Sequence, residues 1–201
     1  MKTKHFYYFL LLTALIGCGG GSSGNSDEFN RQDEQDPEPD TLQRNFRADL
    51  KPVNPTVVKR AEGQAVVRLV GDTFQVNLGL QNVPAAIHPQ HIRTGKDCPD
   101  LRADIDHNGI ISLTEAEAVA GKVLIPLDND LDNNSEERYP NGGFLKAYVY
   151  RESASRSRLL AELGPGVTYD LENRVILVLG TDDDETLPIA CGELTQVTGQ
   201  P

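Results

Sequence analysis

Apolar and polar residues alternate with a period of two through much of the chain beyond residue 64. Across residues 73–80, Phe74, Val76, Leu78 and Leu80 share one face while Gln75, Asn77 and Gly79 share the other. That pattern marks a strand with one buried and one wet face. The preceding run, residues 65–70, joins it through Gly71-Asp72, a pair suited to a two-residue turn with positive φ at its first position. Further strands are predicted over residues 86–92, 122–127, 144–151, 158–163, 174–179 and 188–197, with Thr56-Val57-Val58 a candidate first strand. Leu113–Ala120 alone carries a helical pattern. Seven or more short strands between Gly, Pro, Asn and Asp clusters predict an all-β chain. Its form is an antiparallel Greek-key β-sandwich with an inserted loop and one short helix.

The first 64 residues break the alternation. Residues 6–16 are an almost unbroken apolar run behind Lys2 and Lys4, too short to span a bilayer as a helix and of signal-peptide length. Residues 19–24 are only Gly and Ser, and residues 27–40 hold seven acids, two prolines and few apolar side chains. This is the composition of a solvated tether. Pro52 and Pro55 argue for extended chain beyond it. The predicted organisation is a leader over residues 1–17, a linker over 18–55 and one domain over 56–201. A domain of that size buries about two-thirds of its unfolded surface.

Leu15-Ile16-Gly17-Cys18 resembles the lipobox of bacterial lipoproteins. The resemblance implies cleavage before Cys18, acylation of its thiol and new amine, and attachment to the cell envelope through lipid alone. Gly19, in place of an inner-membrane retention Asp, implies the outer membrane. Losing Lys2 and Lys4 with the leader moves the formal charge from −11 to about −13. A polyanion lacks the Lys and Arg that drive counterion release, so nucleic acid is excluded as a partner and hard cations are favoured. No feature of the sequence identifies a protein partner. Cys98 and Cys191 form one possible pair in an oxidising compartment, with free buried thiols the alternative.

The chemistry concentrates in residues 104–115, which match the twelve-residue EF-hand calcium loop at every diagnostic position. Asp104, Asp106 and Asn108 supply oxygens at positions 1, 3 and 5. Gly109 permits the sharp turn at position 6, and Ile110 offers its carbonyl at position 7. Ser112 stands at position 9, and Glu115 at position 12 can bind bidentately. Ser112 and Glu115 also have capping-box spacing, with Gly121 ending the helix. Calcium is the predicted ion. Cys98 and Pro99 leave room for no more than one turn before the loop, and no second loop of equal quality follows. A lone loop of this kind stabilises rather than signals, with an affinity of about 10⁻⁴–10⁻³ M.

Asp128, Asp130, Asp132 and Asn134 repeat the acid spacing, but Asn133 and Tyr139 occupy the sixth and twelfth positions; a solvated polar loop is favoured over a second cation site. Asp182-Asp183-Asp184-Glu185 reads as a charged turn. Ser153, Ser155 and Ser157 have no histidine near them in sequence, and neither a phosphate-cradling loop nor a nucleophile elbow is present.

The runs Val83-Pro84-Ala85-Ala86-Ile87-His88-Pro89-Gln90-His91-Ile92 and Leu187-Pro188-Ile189-Ala190-Cys191-Gly192-Glu193-Leu194 resemble CHRD-type secreted domains. More remotely, they resemble the copper/zinc superoxide dismutase sandwich, over roughly residues 65–197. The dismutase resemblance implies a Cys98–Cys191 disulfide, which would stabilise by about 3–5 kcal/mol in the chain-entropy model. It does not bring the metal ligands. Where the dismutase has a His-x-His pair, this chain reads His91-Ile92-Arg93, and residues 174–178 lead to Leu179 rather than to a histidine. Only His5, His88, His91 and His107 exist. The expectation is a calcium-binding, lipid-anchored envelope protein without catalytic activity. The alternative is a metal-handling or dismutase-like enzyme using His88 and His91.

Overall fold

The computed structural model describes residues 43–132, 138–163 and 171–198. The strands are Gln43–Pro52 (β1), Glu62–Val70 (β2), Thr73–Gln81 (β3), Gln90–Arg93 (β4), Val123–Pro126 (β5), Ala147–Ser155 (β6), Val175–Leu179 (β7), Pro188–Glu193 (β8) and Thr195–Val197 (β9). Two α-helices, Leu113–Ala120 (α1) and Arg156–Leu163 (α2), and a 3₁₀ turn at Leu101–Ala103 complete the described elements. Every strand pairing is antiparallel.

The order β5-β4-β7-β8-β1-β2-β3-β6 describes one curled sheet closing over itself, with β9 beside β1. Its non-sequential neighbours, β3 with β6, β4 with β7 and β1 with β8, come from connections that cross between the layers, as a Greek-key arrangement requires. β1 belongs to both layers: residues 43–50 pair with β2, and Lys51 and Pro52 pair with β8. The core lies between, with Phe46, Val67, Phe74, Val76 and Leu78 facing Ile92, Ile125, Ile176, Val178 and Ile189.

The hairpin forms as its sequence predicts, with Val70 opposite Thr73 and Gly71 at φ +53. Alternation in β7 has a different outcome. Ile176 and Val178 enter the main core, whereas Val175, Leu177 and Leu179 enter a second cluster with Ile111, Ala116, Ala120 and Cys191. The loop and α1 therefore cover the outer face of β7, and this strand is apolar throughout because both its faces are buried.

Four expectations need correction. The domain begins at or before Gln43, not at residue 56. β1 hides in the presumed linker because only Phe46, Ala48 and Leu50 point inward, while Arg47 and Asp49 pair outward at 3.0 Å. Thr56-Val57-Val58 is a turn rather than a strand, closed by bonds from Val57 N and Val58 N to the Asn54 carbonyl. Residues 158–163 are helical rather than extended, giving two helices instead of one. Asp72 captures the Ser157 amide at 2.8 Å and the Ser155 hydroxyl at 2.6 Å at the start of α2, and Arg, Leu, Ala and Glu favour helix once it is capped. Finally, Phe144 and Leu145 lie exposed ahead of β6, in a turn closed by Lys146 N to Gly143 O at 3.1 Å. The leader, Cys18 and the linker through residue 42 lie outside the described residues.

Candidate metal centre

The loop is anchored to the sheet ahead of its first candidate ligand. Cys98 is disulfide-bonded to Cys191 on β8, six residues before Asp104. Asp100 then starts the 3₁₀ turn, its carboxylate accepting from the Arg102 amide at 2.9 Å and from the Arg102 guanidinium at 2.6 Å. One such turn precedes the loop, as the Cys98-Pro99 boundary predicts. After it the chain reverses through His107 and Gly109, at φ +57 and +82. At position 6 this conformation favours glycine. Ile111 at position 8 is fully buried in the second cluster.

The carboxylates are drawn inward by backbone amides. Asp104 accepts from Asn108 N at 3.2 Å and Gly109 N at 2.8 Å. Asp106 accepts from the Asn108 amide and side chain at 3.1 and 2.9 Å, and the Asn108 side-chain oxygen accepts from Ile110 N at 2.7 Å. Glu115 takes Ile105 N on one oxygen, and Ser112 N and Oγ on the other, all at 2.8 Å. The Ser112–Glu115 capping box is complete, so one glutamate both starts α1 and closes the loop. These bonds, those from Ser112 first, hold the Glu115 carboxyl down to a pKa of about 2.

Ligand oxygens of Asp104, Asp106 and Glu115 lie within 4.8 Å of one another, with Asp104 and Glu115 buried and Asp106 exposed. Among the described residues, the ion pairs run elsewhere: Arg102 to Asp100, Arg93 to Glu117, Arg47 to Asp49, and Arg158 to Asp132 and Glu162. Among the described residues, these three carboxylates converge without an ion pair to any of them. Like charges so placed repel, and a hard cation relieves the repulsion. Asn108, Ile110 and Ser112 belong to the same turn and contribute oxygen donors only, a set suited to calcium rather than to zinc or copper.

The other acidic run does not assemble in this way, and the Asp104 group is the only three-ligand cluster among the described residues. Nor is Asp128 solvated, as the polar-loop reading expects. It is fully buried, one oxygen accepting from Leu131 N at 2.8 Å and Asp130 N at 3.3 Å, and burial raises its pKa. Asn134 lies outside the described residues.

The histidines are engaged in packing. His88 is fully buried, with Nδ1 3.0 Å from the Leu179 carbonyl and Nε2 3.1 Å from the Pro84 carbonyl, and its ring stacks on Tyr148. Both nitrogens face backbone carbonyl oxygens rather than another candidate metal ligand. His91 meets the Tyr139 hydroxyl at 3.1 Å, and burial, then the Arg93 charge, pushes its pKa down to about 3.

Two residues that matter here are not singled out by sequence reasoning. Arg93 is buried against the end of α1, and Asn54 is buried beneath the loop. In the sequence Arg93 stands only in the place of a second histidine, and Asn54 belongs to no motif.

No protein-family profile matches the chain, and no curated protein matches it in sequence. Among solved structures, the Cu/Zn superoxide dismutase from Brucella abortus is similar at 16% identity with a TM-score of 0.42, covering 74% of this chain and 98% of that chain. A likeness of that degree says nothing of residues or activity here. Among the described residues, no helix is long and apolar enough to cross a membrane.

Proposed function

We propose that this protein is a calcium-binding, lipid-anchored protein of the bacterial cell envelope, related to CHRD-type domains. In it the ion fixes the long loop against the sandwich and catalyses nothing. The convergence of Asp104, Asp106 and Glu115 within 4.8 Å, with no ion pair to any of them among the described residues, carries the reading. Asp104, Asp106, Asn108 and Glu115 side chains, the Ile110 carbonyl and Ser112 through water would supply the oxygens. Since a single 3₁₀ turn leads into the loop, there is no pair of long helices to open, and occupancy translates into rigidity. Cys18 would tether the domain, most simply to the outer membrane.

Calorimetric titration tests the site. The wild type is expected to bind one Ca²⁺ at about 10⁻⁴–10⁻³ M, and Glu115→Gln to lose most of the heat. Absence of heat, or an unchanged isotherm in the variant, overturns the calcium reading. Detergent partitioning of the wild type and Cys18→Ser in a bacterial host tests the anchor, since only the wild type should enter the detergent phase.

A further inference from the structure

Asn54, 1% exposed, lies beneath the calcium loop and makes three buried side-chain hydrogen bonds. Its Oδ1 accepts from Ile111 N at 2.8 Å, and its Nδ2 donates to Ile111 O and to Pro188 O, both at 2.9 Å. A single amide thus satisfies both backbone groups of a fully buried loop residue and links them to the start of β8.

The peptide geometry gives these bonds a directional effect. Ile111 N–H and the Ile110 carbonyl belong to one planar trans unit and point in opposite directions. Holding the N–H on Asn54 therefore turns the Ile110 carbonyl, at position 7, away from Asn54. The next unit behaves alike: with Ile111 O on Asn54, the Ser112 N–H points the other way, to its 2.8 Å bond with Glu115. The Ile110 carbonyl at position 7 is thus aimed by a side chain that does not touch it, whereas Glu115 at position 12 keeps its own bonds from Ile105 N and Ser112 Oγ.

We infer that Asn54 is the positioning residue of the cation site, preforming the unpaired loop and coupling its occupancy to β8. The inference rests on the calcium reading above. The Cys98–Cys191 bond ties the approach to the loop to the same strand, so β8 holds the chain both before the loop and, through Asn54, at its position 8.

The test uses the full-length protein, calcium alone as the probe, and NMR beside calorimetry. In calcium-free wild type, the Ile111 amide should exchange as slowly as amides of β7. In Asn54→Ala, calcium affinity should fall about tenfold or more. The calcium-induced shift of the Ile110 carbonyl carbon should shrink while that of the Glu115 carboxyl carbon persists at saturation. A merely structural asparagine would lower stability without separating those two signals. Wild-type affinity in the variant, or a rapidly exchanging Ile111 amide in the calcium-free wild type, overturns the inference while leaving calcium binding intact. If Asn54→Ala does not fold, wild-type exchange decides. Failure of the wild type to bind calcium is seen separately and removes the calcium reading itself.

Discussion

Arg93 of β4 donates from one guanidinium nitrogen to the Glu117 carboxylate at 2.9 Å and to the Gly121 carbonyl at 3.0 Å, docking the C-terminal end of α1 onto the sheet. A cation at that end also suits the helix dipole. In the dismutase resemblance this position calls for the second histidine of a metal-binding pair. Here the side chain secures the helix that grows out of the candidate calcium loop.

The two partners should differ sharply on substitution. Arg93 is 1% exposed, and Arg93→Ala leaves a cavity and an unpaired helix carbonyl, an expected loss of about 2–4 kcal/mol in urea unfolding. The Glu117 side chain is 45% exposed, and Glu117→Gln should cost less than about 1 kcal/mol. Equal losses would contradict this assignment of roles.

Acid should weaken the calcium-free protein in two overlapping windows. His91 titrates near 6.5 when unfolded and near 3 when folded. The unfolded chain takes up the proton first, so stability declines as pH falls from about 6.5 to 3. Glu115 falls from 4.5 to about 2 on folding, so its contribution is complete above pH 4.5 and disappears as pH falls toward 2. Urea midpoints against pH should flatten in the upper window for His91→Gln and in the lower one for Glu115→Gln. A variant curve parallel to wild type would refute that residue's part.

Replacing Cys98 and Cys191 by Ser opens a loop spanning 93 residues, an expected loss of about 3–5 kcal/mol in the chain-entropy model. Calcium should recover much of it, since saturation at 100 times Kd stabilises by about 2.7 kcal/mol. Thermal melts of the double variant with and without calcium read both terms. An unchanged calcium-free melting temperature would be the wrong result.

Asp128→Asn should behave unlike any acid-to-amide change in the calcium loop. Its Oδ1 can still accept from Leu131 N and Asp130 N, while the ionisable group whose pKa burial raises is gone. Stability at pH 7 should hold or rise, and calcium heats should not change. A loss above about 1 kcal/mol in chemical denaturation would show that the ionised carboxylate is needed.

The sequence is most legible where cause and effect are near neighbours. Alternation and Gly71 predict the β2–β3 hairpin, and Ser112, Glu115 and Gly121 bound α1 within one residue. It is least legible where a distant partner decides. α2 depends on Asp72, some 85 residues away, and the loop's support depends on Asn54, 57 residues before Ile111. β1 escapes notice because its alternation of Phe46, Ala48 and Leu50 with Arg47 and Asp49 is short and adjoins an acidic, proline-containing tether. The oxygen donors of the candidate site are legible because one short loop contains them all; what aims them is not.

The pairing of β1 with β9 sets Asn45 opposite Val197, so the first and last described strands of the domain are neighbours. A graft at either terminus would emerge at the same rim. A short bridge between the two would turn the domain into a closed ring that could be reopened at an exposed turn, making it well suited to circular permutation or to insertion within another polypeptide.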